Sequence, residues 1–356
     1  MAELLHYVLW SIFFVTAIAI LLRRRSSRNL ALPPGPRPLP LLGNLLELGQ
    51  NPHRSFALLA RTHGPVMYLK LGSLHTVVIS SPASAKEVFI TKDHSTCGRQ
   101  VPDVIQDVGH HLVSVVWLPP NQSWRYLRTL MKANLFNAQS LDATQLLRRQ
   151  KDLFVAGSDT STTTLEWAMV ELLRRPELMA RARDEIATVI GLEREVEESD
   201  ISRLPFLQAV LKETLRFHPP APLLVPHKTE ERTEINGYTV PKNSQVLVNV
   251  WAIGRDEQVW ENPDCFMPER FAGGCEIDFR GHHFELLPFG SGRRICPGMP
   301  LGVRMVQLML ASLLQSFEWS LPDGMKPEDL DLTEKFGLST ALAAPLKAIA
   351  TPTKHN

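Results

Sequence analysis

The chain has 356 residues, 44% hydrophobic and 21% charged, the composition of an ordinary globular protein with material for a large core. Its 38 basic and 37 acidic side chains leave a formal net charge of +1, so no overall field draws it to nucleic acid. Only four cysteines occur, Cys97, Cys265, Cys275 and Cys296, with no C-x-x-C pair, which argues against a cysteine-pair zinc site and against a disulfide scaffold.

Leu4 to Leu22 is an apolar stretch broken only by His6, Ser11 and Thr16, and about 20 such residues span a hydrocarbon core as a helix. Arg23, Arg24, Arg25 and Arg28 follow at once. A cleaved signal peptide carries its charge before the apolar run. Here the charge comes after, which predicts a membrane anchor over 1–25 with the bulk of the chain on the cytosolic side. Residues 26–44 form a basic and proline-rich hinge, with five prolines in "LPPGPRPLPLLGN". Proline fixes φ and removes donors, so this stretch is a stiff extended spacer.

Beyond the hinge, "VMYLKLGSLHTVVIS" reads as a hairpin around Gly72-Ser73 and "SPASAKEVFITK" as a helix opened by Ser-Pro. Residues 99–123 show no period, and an unstructured segment of that length is usually functional. Trp124 to Leu135 is amphipathic-helical. Residues 152–190 carry two helical patterns split at Pro176, and "LPFLQAVLKETLRFHP" carries another. "EINGYTVPKNSQVLVNVWAIG" supplies an Asn236-Gly237 hairpin and then a buried strand. A long apolar helix follows Cys296. The fold class expected is mainly α with small β-sheets.

Cys296 lies in "FGSGRRICPG". Gly290, Gly292 and Gly298 would let backbone approach a bulky ligand. A helix beginning just beyond would aim its N–H groups at the sulfur and favour the thiolate. The two arginines suit an anionic partner such as a cofactor's carboxylates. A nucleophilic cysteine would also need a nearby base, for which no signature is readable. A buried structural cysteine is the remaining alternative.

The stretch matches residue by residue the haem-binding signature F-x-x-G-x-R-x-C-x-G, and the chain is identified as a member of the cytochrome P450 family. Phe289, Gly292, Arg294, Cys296 and Gly298 fill the fixed positions. "KETLR" carries the E-x-x-R pair, Glu213 and Arg216; "PERF" supplies Arg270; "AGSDTS" at 156–161 resembles the oxygen-activating motif; "WRYLR" resembles W-x-x-x-R, with Trp124 and Arg128. "DLFVAGSDTSTTTLEWAM" and "LTEKFGLS" carry a finer likeness to the plant microsomal branch, that of geraniol 8-hydroxylase and the flavonoid hydroxylases.

The resemblance implies the cytochrome P450 fold over 45–356 and haem b (iron protoporphyrin IX) held on iron by Cys296. Phe289 would pack beside the ligand, with Gly298 part of the same cradle. Trp124, Arg128, Arg294 and His227 would bond the haem propionates. Asp159 and Thr160 would relay protons, and Gly157 with Thr160 would open the helix ladder beside the iron. Glu213, Arg216 and Arg270 read as a structural ion network. His110 and His111 are not expected as ligands. The 101–120 loop, Ala156, 221–225 and 338–342 would line a pocket for a small apolar substrate. Electrons would come from NADPH through NADPH-cytochrome P450 reductase, at the endoplasmic reticulum membrane.

The motifs bracket a gap. In the family well over a hundred residues separate the "WRYLR" helix from the "AGSDT" helix; here only 129–155 do, with an apparent internal deletion near 151. Two readings result: a monooxygenase hydroxylating a terpenoid or phenolic plant metabolite, or an inactive truncated, membrane-anchored relative that at most binds haem or a partner. A third, an isomerase or dehydratase using no O₂, is weakened by the intact Asp159–Thr160 pair.

Overall fold

Proline and small polar residues set the helix starts. Pro52 opens α1 (Pro52–His63), Pro176 opens α4 (Pro176–Val189) and Pro205 opens α5 (Pro205–Phe217), positions where a missing N–H costs nothing. Asn121 caps α2 (Gln122–Leu130), its Oδ1 accepting from the Trp124 N–H at 2.9 Å. The first free N–H groups of α5 donate to Glu185, from Phe206 at 2.8 Å and Leu207 at 2.9 Å. The other long helices are α3 (Lys151–Arg174) and α6 (Met299–Ser316). The computed structural model describes residues 31–353 except 136–150, 192 and 323, together with His6 and Trp10, and omits the side chains of 134–135 and 151–156.

The strands make one sheet of five and several small pairs. β1 (Val66–Leu71) and β2 (Leu74–Ile79) form the hairpin expected around Gly72. β3 (Gly98–Arg99), β4 (His227–Lys228) and β7 (Gln245–Val248) complete the sheet, in the order β1-β2-β7-β4-β3. β2 and β7 run parallel; the other neighbours are antiparallel. β5 (Thr233–Ile235) and β6 (Tyr238–Val240) close over Asn236 and Gly237, both at positive φ as a two-residue hairpin turn requires. Towards the C-terminus, β8 (Phe317–Ser320) pairs with β11 (Ile349–Pro352), and β9 (Glu334–Lys335) with β10 (Ala341–Leu342).

The main core lies where α3, α4, α5 and α6 meet, through Leu172, Ala182, Ile186, Leu207, Val210, Leu310 and Leu314. A second core packs under the sheet, around Val77, Ile79, Val246 and Val248. This is the mainly helical architecture expected. Two local expectations differ. Residues 99–123 hold short helical turns at Asp103–Asp107 and His110–Leu112. α3 runs as α-helix throughout, with no break or wide turn at Gly157–Thr160; Thr164 Oγ1 donates to the Thr160 carbonyl at 2.7 Å within it. Among the described residues no helix is long and apolar enough to cross a membrane; the expected anchor over 1–25 lies, apart from His6 and Trp10, outside the described residues.

Candidate functional site

The loop before α6 is wound tightly around Cys296. The Cys296 N–H donates to the Phe289 carbonyl at 2.9 Å, and Ser291 Oγ donates to the Gly281 carbonyl at 2.6 Å. Gly292 sits at φ +64°, where an added Cβ would fall 2.5 Å from the Phe89 carbonyl oxygen, so only glycine fits this turn. Gly298 is the N-cap of α6, so the N–H groups at 298 and 299 lie at the start of the helix beside the Cys296 sulfur. The sequence predicted a depressed thiol. Burial instead pushes the Cys296 thiol up; the Gly298 N–H, the Arg128 charge and the Met299 N–H offset only part of it. Phe289 is half-buried against Phe279, ring centroids 5.7 Å apart, beside Leu211, Leu215 and Val306.

Next to this loop is a concentration of positive charge. Arg294 donates from Nε to the Cys97 carbonyl at 2.9 Å and from Nη2 to the Leu118 carbonyl at 2.7 Å, while its Nη1 is buried without a partner. Arg128 donates to the Ile295 carbonyl at 2.7 Å. Both guanidinia lie over the Trp124 ring, at 4.6 Å for Arg294 and 5.7 Å for Arg128. The Trp124 indole N–H is taken by the Val115 carbonyl at 3.0 Å, so Trp124 offers a stacking face here rather than the free donor expected. His227 is buried in β4, with Nδ1 on the Thr96 carbonyl at 2.9 Å and its ring edge-on to Phe89. Burial, with the charges of Arg99 and Arg294, holds it well below the usual histidine range.

Sequence reasoning missed Arg99. It stands opposite His227 across the β3–β4 pair, donates to the Val225 carbonyl at 2.6 Å, and keeps its Nε buried and unpartnered. Burial and the charges of Arg294 and Arg128 lower its pKa to about 9, and burial lowers that of Arg294 to about 10. Among the described residues none of these three guanidinia hydrogen-bonds a carboxylate. Buried charges are normally paired. Orphaned N–H groups on Arg99 and Arg294, beside a cysteine at a helix N-terminus, fit a flat cofactor carrying carboxylates.

The surrounding elements make a basin. Ser161 on α3 lies 3.9 Å from where a Gly302 Cβ would stand, so α3 crosses α6 shortly after Cys296. Thr163 Oγ1 meets Ser339 Oγ at 3.4 Å, and the Trp167 indole donates to the Thr340 carbonyl at 3.2 Å. The Thr340 N–H in turn reaches the Pro220 carbonyl at 2.8 Å. Residues 220–226 then run past the loop, Leu224 Cδ1 lying 3.6 Å from a Gly290 Cβ position, to Gln100 and Arg99. Thus the 338–342 stretch is tied to Pro220, next to 221–225. Ala156 falls among the side chains outside the described set. Asp159 is exposed and Thr160 half-buried.

Behind the basin, Glu213 and Arg216 are fully buried and paired by two 2.7 Å bonds, and Arg270 Nε joins Glu213 at 3.1 Å. Arg216 also donates to the carbonyls of Gly254, Pro263 and Cys265. All the bonds of the triad run within it or to backbone carbonyls and the Met267 N–H, the pattern of a structural ion network. His110 and His111 lie on a short helical turn; among the described residues no cluster of three or more histidine, cysteine or acidic side chains could hold a metal.

The family model "Cytochrome P450" matches residues 33–151 and 137–345. A protein of Catharanthus roseus, "Cytochrome P450 76T24", is 38% identical over 484 residues, covering 95% of this chain and 96% of its own length. Geraniol 8-hydroxylase of Swertia mussotii is 38% identical over 92% of this chain and 94% of itself. Geranylhydroquinone 3''-hydroxylase of Arnebia euchroma is 35% identical over 93% and 96%. A zebra fish cytochrome P450 solved with progesterone superposes with a TM-score of 0.70, at 22% identity, over 85% of this chain and 99% of that one. An alignment 484 positions long on a chain of 356 residues leaves at least 128 positions (484 less 356) without a counterpart here. The family match falls into two pieces that meet at 137–151. The chain belongs to the cytochrome P450 family, with the middle of the usual chain missing.

Proposed function

We propose that this cytochrome P450 monooxygenase holds haem b through the Cys296 sulfur and hydroxylates a small apolar terpenoid or phenolic plant metabolite. The observation that carries the reading is the set of guanidinia without carboxylate partners beside Cys296, with Arg99 Nε and Arg294 Nη1 buried and unpaired among the described residues. Haem, when bound, supplies the one-electron and O₂ chemistry that protein side chains lack. The chain's own residues do the rest. Arg99, Arg128 and Arg294 would neutralise the two carboxylates, the orphaned Nη1 and Nε donating to them, with His227 alongside. The N–H groups of Gly298 and Met299 would stabilise Cys296 as the thiolate that burial alone disfavours. Asp159 and Thr160 would carry protons from solvent into the basin, a path shortened by the exposure of Asp159. Half-buried Phe289 fixes the carbonyl that orients the Cys296 backbone.

Electrons would arrive from NADPH-cytochrome P450 reductase. The apolar stretch Leu4–Leu22 with arginines after it supports a single anchor in the endoplasmic reticulum membrane and a cytosolic domain. A second reading, an inactive anchored relative, draws on the unmatched positions of the relatives and the exposure of Asp159.

A reduced carbon-monoxide difference spectrum of the chain in microsomes, beside a Cys296→Ala control, separates the two. A red-shifted Soret band that the control loses supports haem ligation by Cys296. No band, with protein present in the membrane, overturns it in favour of the inactive reading.

A further inference from the structure

We infer that Leu224 is a positioning residue for Cys296: its left-handed backbone seats the leucine side chain against the turn whose carbonyl holds the cysteine. The inference rests on the proposed haem reading and adds how the chain keeps the ligating sulfur in place.

Five non-glycine residues stand at positive φ among the described residues: Leu41, Leu224, Asn236, Asn243 and Asn262. Asparagine enters this region readily because its side chain bonds locally, whereas leucine brings its Cβ against the following carbonyl. Leu41 is exposed on a turn. Leu224, at φ +53°, is half-buried in the segment that passes the Cys296 loop. Such a conformation persists only where the surroundings over-determine it. Upstream, the Thr340 N–H holds the Pro220 carbonyl at 2.8 Å and the Leu224 N–H closes on the Ala221 carbonyl at 3.0 Å. Downstream, Arg99 Nη1 holds the Val225 carbonyl at 2.6 Å and the Gln100 N–H donates to the Pro226 carbonyl at 3.3 Å.

Between these ties, two adjacent leucines reach opposite faces of the five-stranded sheet. Leu223 is buried with Met67, Leu69, Val78 and Leu247. Leu224 packs against the cluster formed by the alternate strand residues, which also holds Phe284 and Leu287 of the loop before Cys296. Its Cδ1 lies 3.6 Å from where a Gly290 Cβ would stand. Gly290 closes a turn with its N–H on the Leu287 carbonyl at 3.0 Å, and the peptide before it carries the Phe289 carbonyl that accepts the Cys296 N–H. With no Cβ and φ at +68°, Gly290 does little to fix that peptide itself. The leucine seated against it supplies the missing restraint. A negative φ at 224 would redirect the Cβ and lift the side chain off Gly290.

The test uses the full chain loaded with haem, unaltered and as Leu224→Gly, Leu224→Ala and Leu224→Met. Two quantities are read on each: the urea midpoint, and the ratio of red-shifted to unshifted Soret band in the reduced carbon-monoxide spectrum. Glycine accepts this backbone and alanine does not, so Leu224→Gly should have the higher midpoint of the two, the reverse of the order at a negative-φ position. In both, the band ratio should fall about tenfold, the low end for losing a group that orients a metal ligand. Leu224→Met, which keeps the apolar bulk over Gly290, should restore it. A lower midpoint for Leu224→Gly than for Leu224→Ala overturns the strained backbone. An unchanged band ratio in those two variants overturns the positioning role while leaving the haem reading intact. An unaltered chain with no red-shifted band loses the haem reading, and this inference with it.

Discussion

On the α5–α6 side of the Cys296 loop, Glu213 and Arg216 have no solvent contact, yet each of their bonds is answered, and Leu211, Leu215 and Val306 close around Phe289. On the α3 side, Gly157 to Asp159 face water and the valines at 104, 108 and 113 are mostly exposed. The same chain thus meets two standards of packing a short distance apart. The contrast shows which half of a cofactor site a sequence gap can remove without touching the other: the buried charges and helix core behind the cysteine draw on residues after 151, apart from those near Phe89, Cys97 and Trp124.

The largest effect should come from the densest region. Arg216→Ala removes both 2.7 Å bonds to Glu213 and leaves the buried carboxylate only Arg270 Nε and the Met267 N–H, at a cost of up to roughly 3–5 kcal/mol; protease resistance and melting temperature should both fall. Leu211→Ala on the same side should cost about 2–5 kcal/mol as a buried cavity, read as a lowered denaturant midpoint. An unaltered midpoint for either would break the contrast.

Intermediate in size is a pair that pins one wall of the basin. Glu334 on β9 accepts from Arg54 Nε at 2.8 Å and meets His53 Nε2 at 3.2 Å. Burial raises its pKa, but these bonds outweigh it and hold the carboxyl at about 2 against an ordinary 4.5. A depressed carboxylate contributes stability that is full above its unfolded value and lost as pH falls through the folded one. Melting temperature should therefore drop between about pH 5 and pH 2, by up to about 3 kcal/mol in stability, and Glu334→Gln should flatten that part of the profile. The smallest effect belongs to the open side: Val108→Ser with Leu112→Ser should change stability by no more than about 0.5 kcal/mol each and reduce light scattering on heating. A loss comparable to Leu211→Ala would show that those side chains are packed.

The elements that local pattern dictates were legible. Prolines marked helix starts, Asn236-Gly237 marked a hairpin, and the spacing of Glu213 and Arg216 put both on one helix face. What escaped depends on chain paths that meet far apart. Arg99 is one arginine in "CGRQ", with no local signal; it becomes a member of the cationic cluster only when β3 pairs with β4 across His227. The thiol of Cys296 was misjudged because helix N–H groups can be read from sequence and burial cannot. Thr160 was expected to open its helix, but α3 is continuous through it.

Arg216 and Arg270 between them hold the carbonyls of Gly254, Glu261, Asn262, Pro263 and Cys265. The route of 254–265 is therefore dictated from outside, by two guanidinia reading its backbone, while Glu257, Gln258, Glu261, Asn262 and Asp264 point away into solvent. The exposed letters of such a segment could be rewritten with the path unchanged. Gly254, Arg255 and Trp260 are the exceptions: a Cβ at Gly254 would fall 2.6 Å from the Arg216 carbonyl oxygen, Arg255 donates to the Phe217 carbonyl, and Trp260 is buried in the core under both guanidinia.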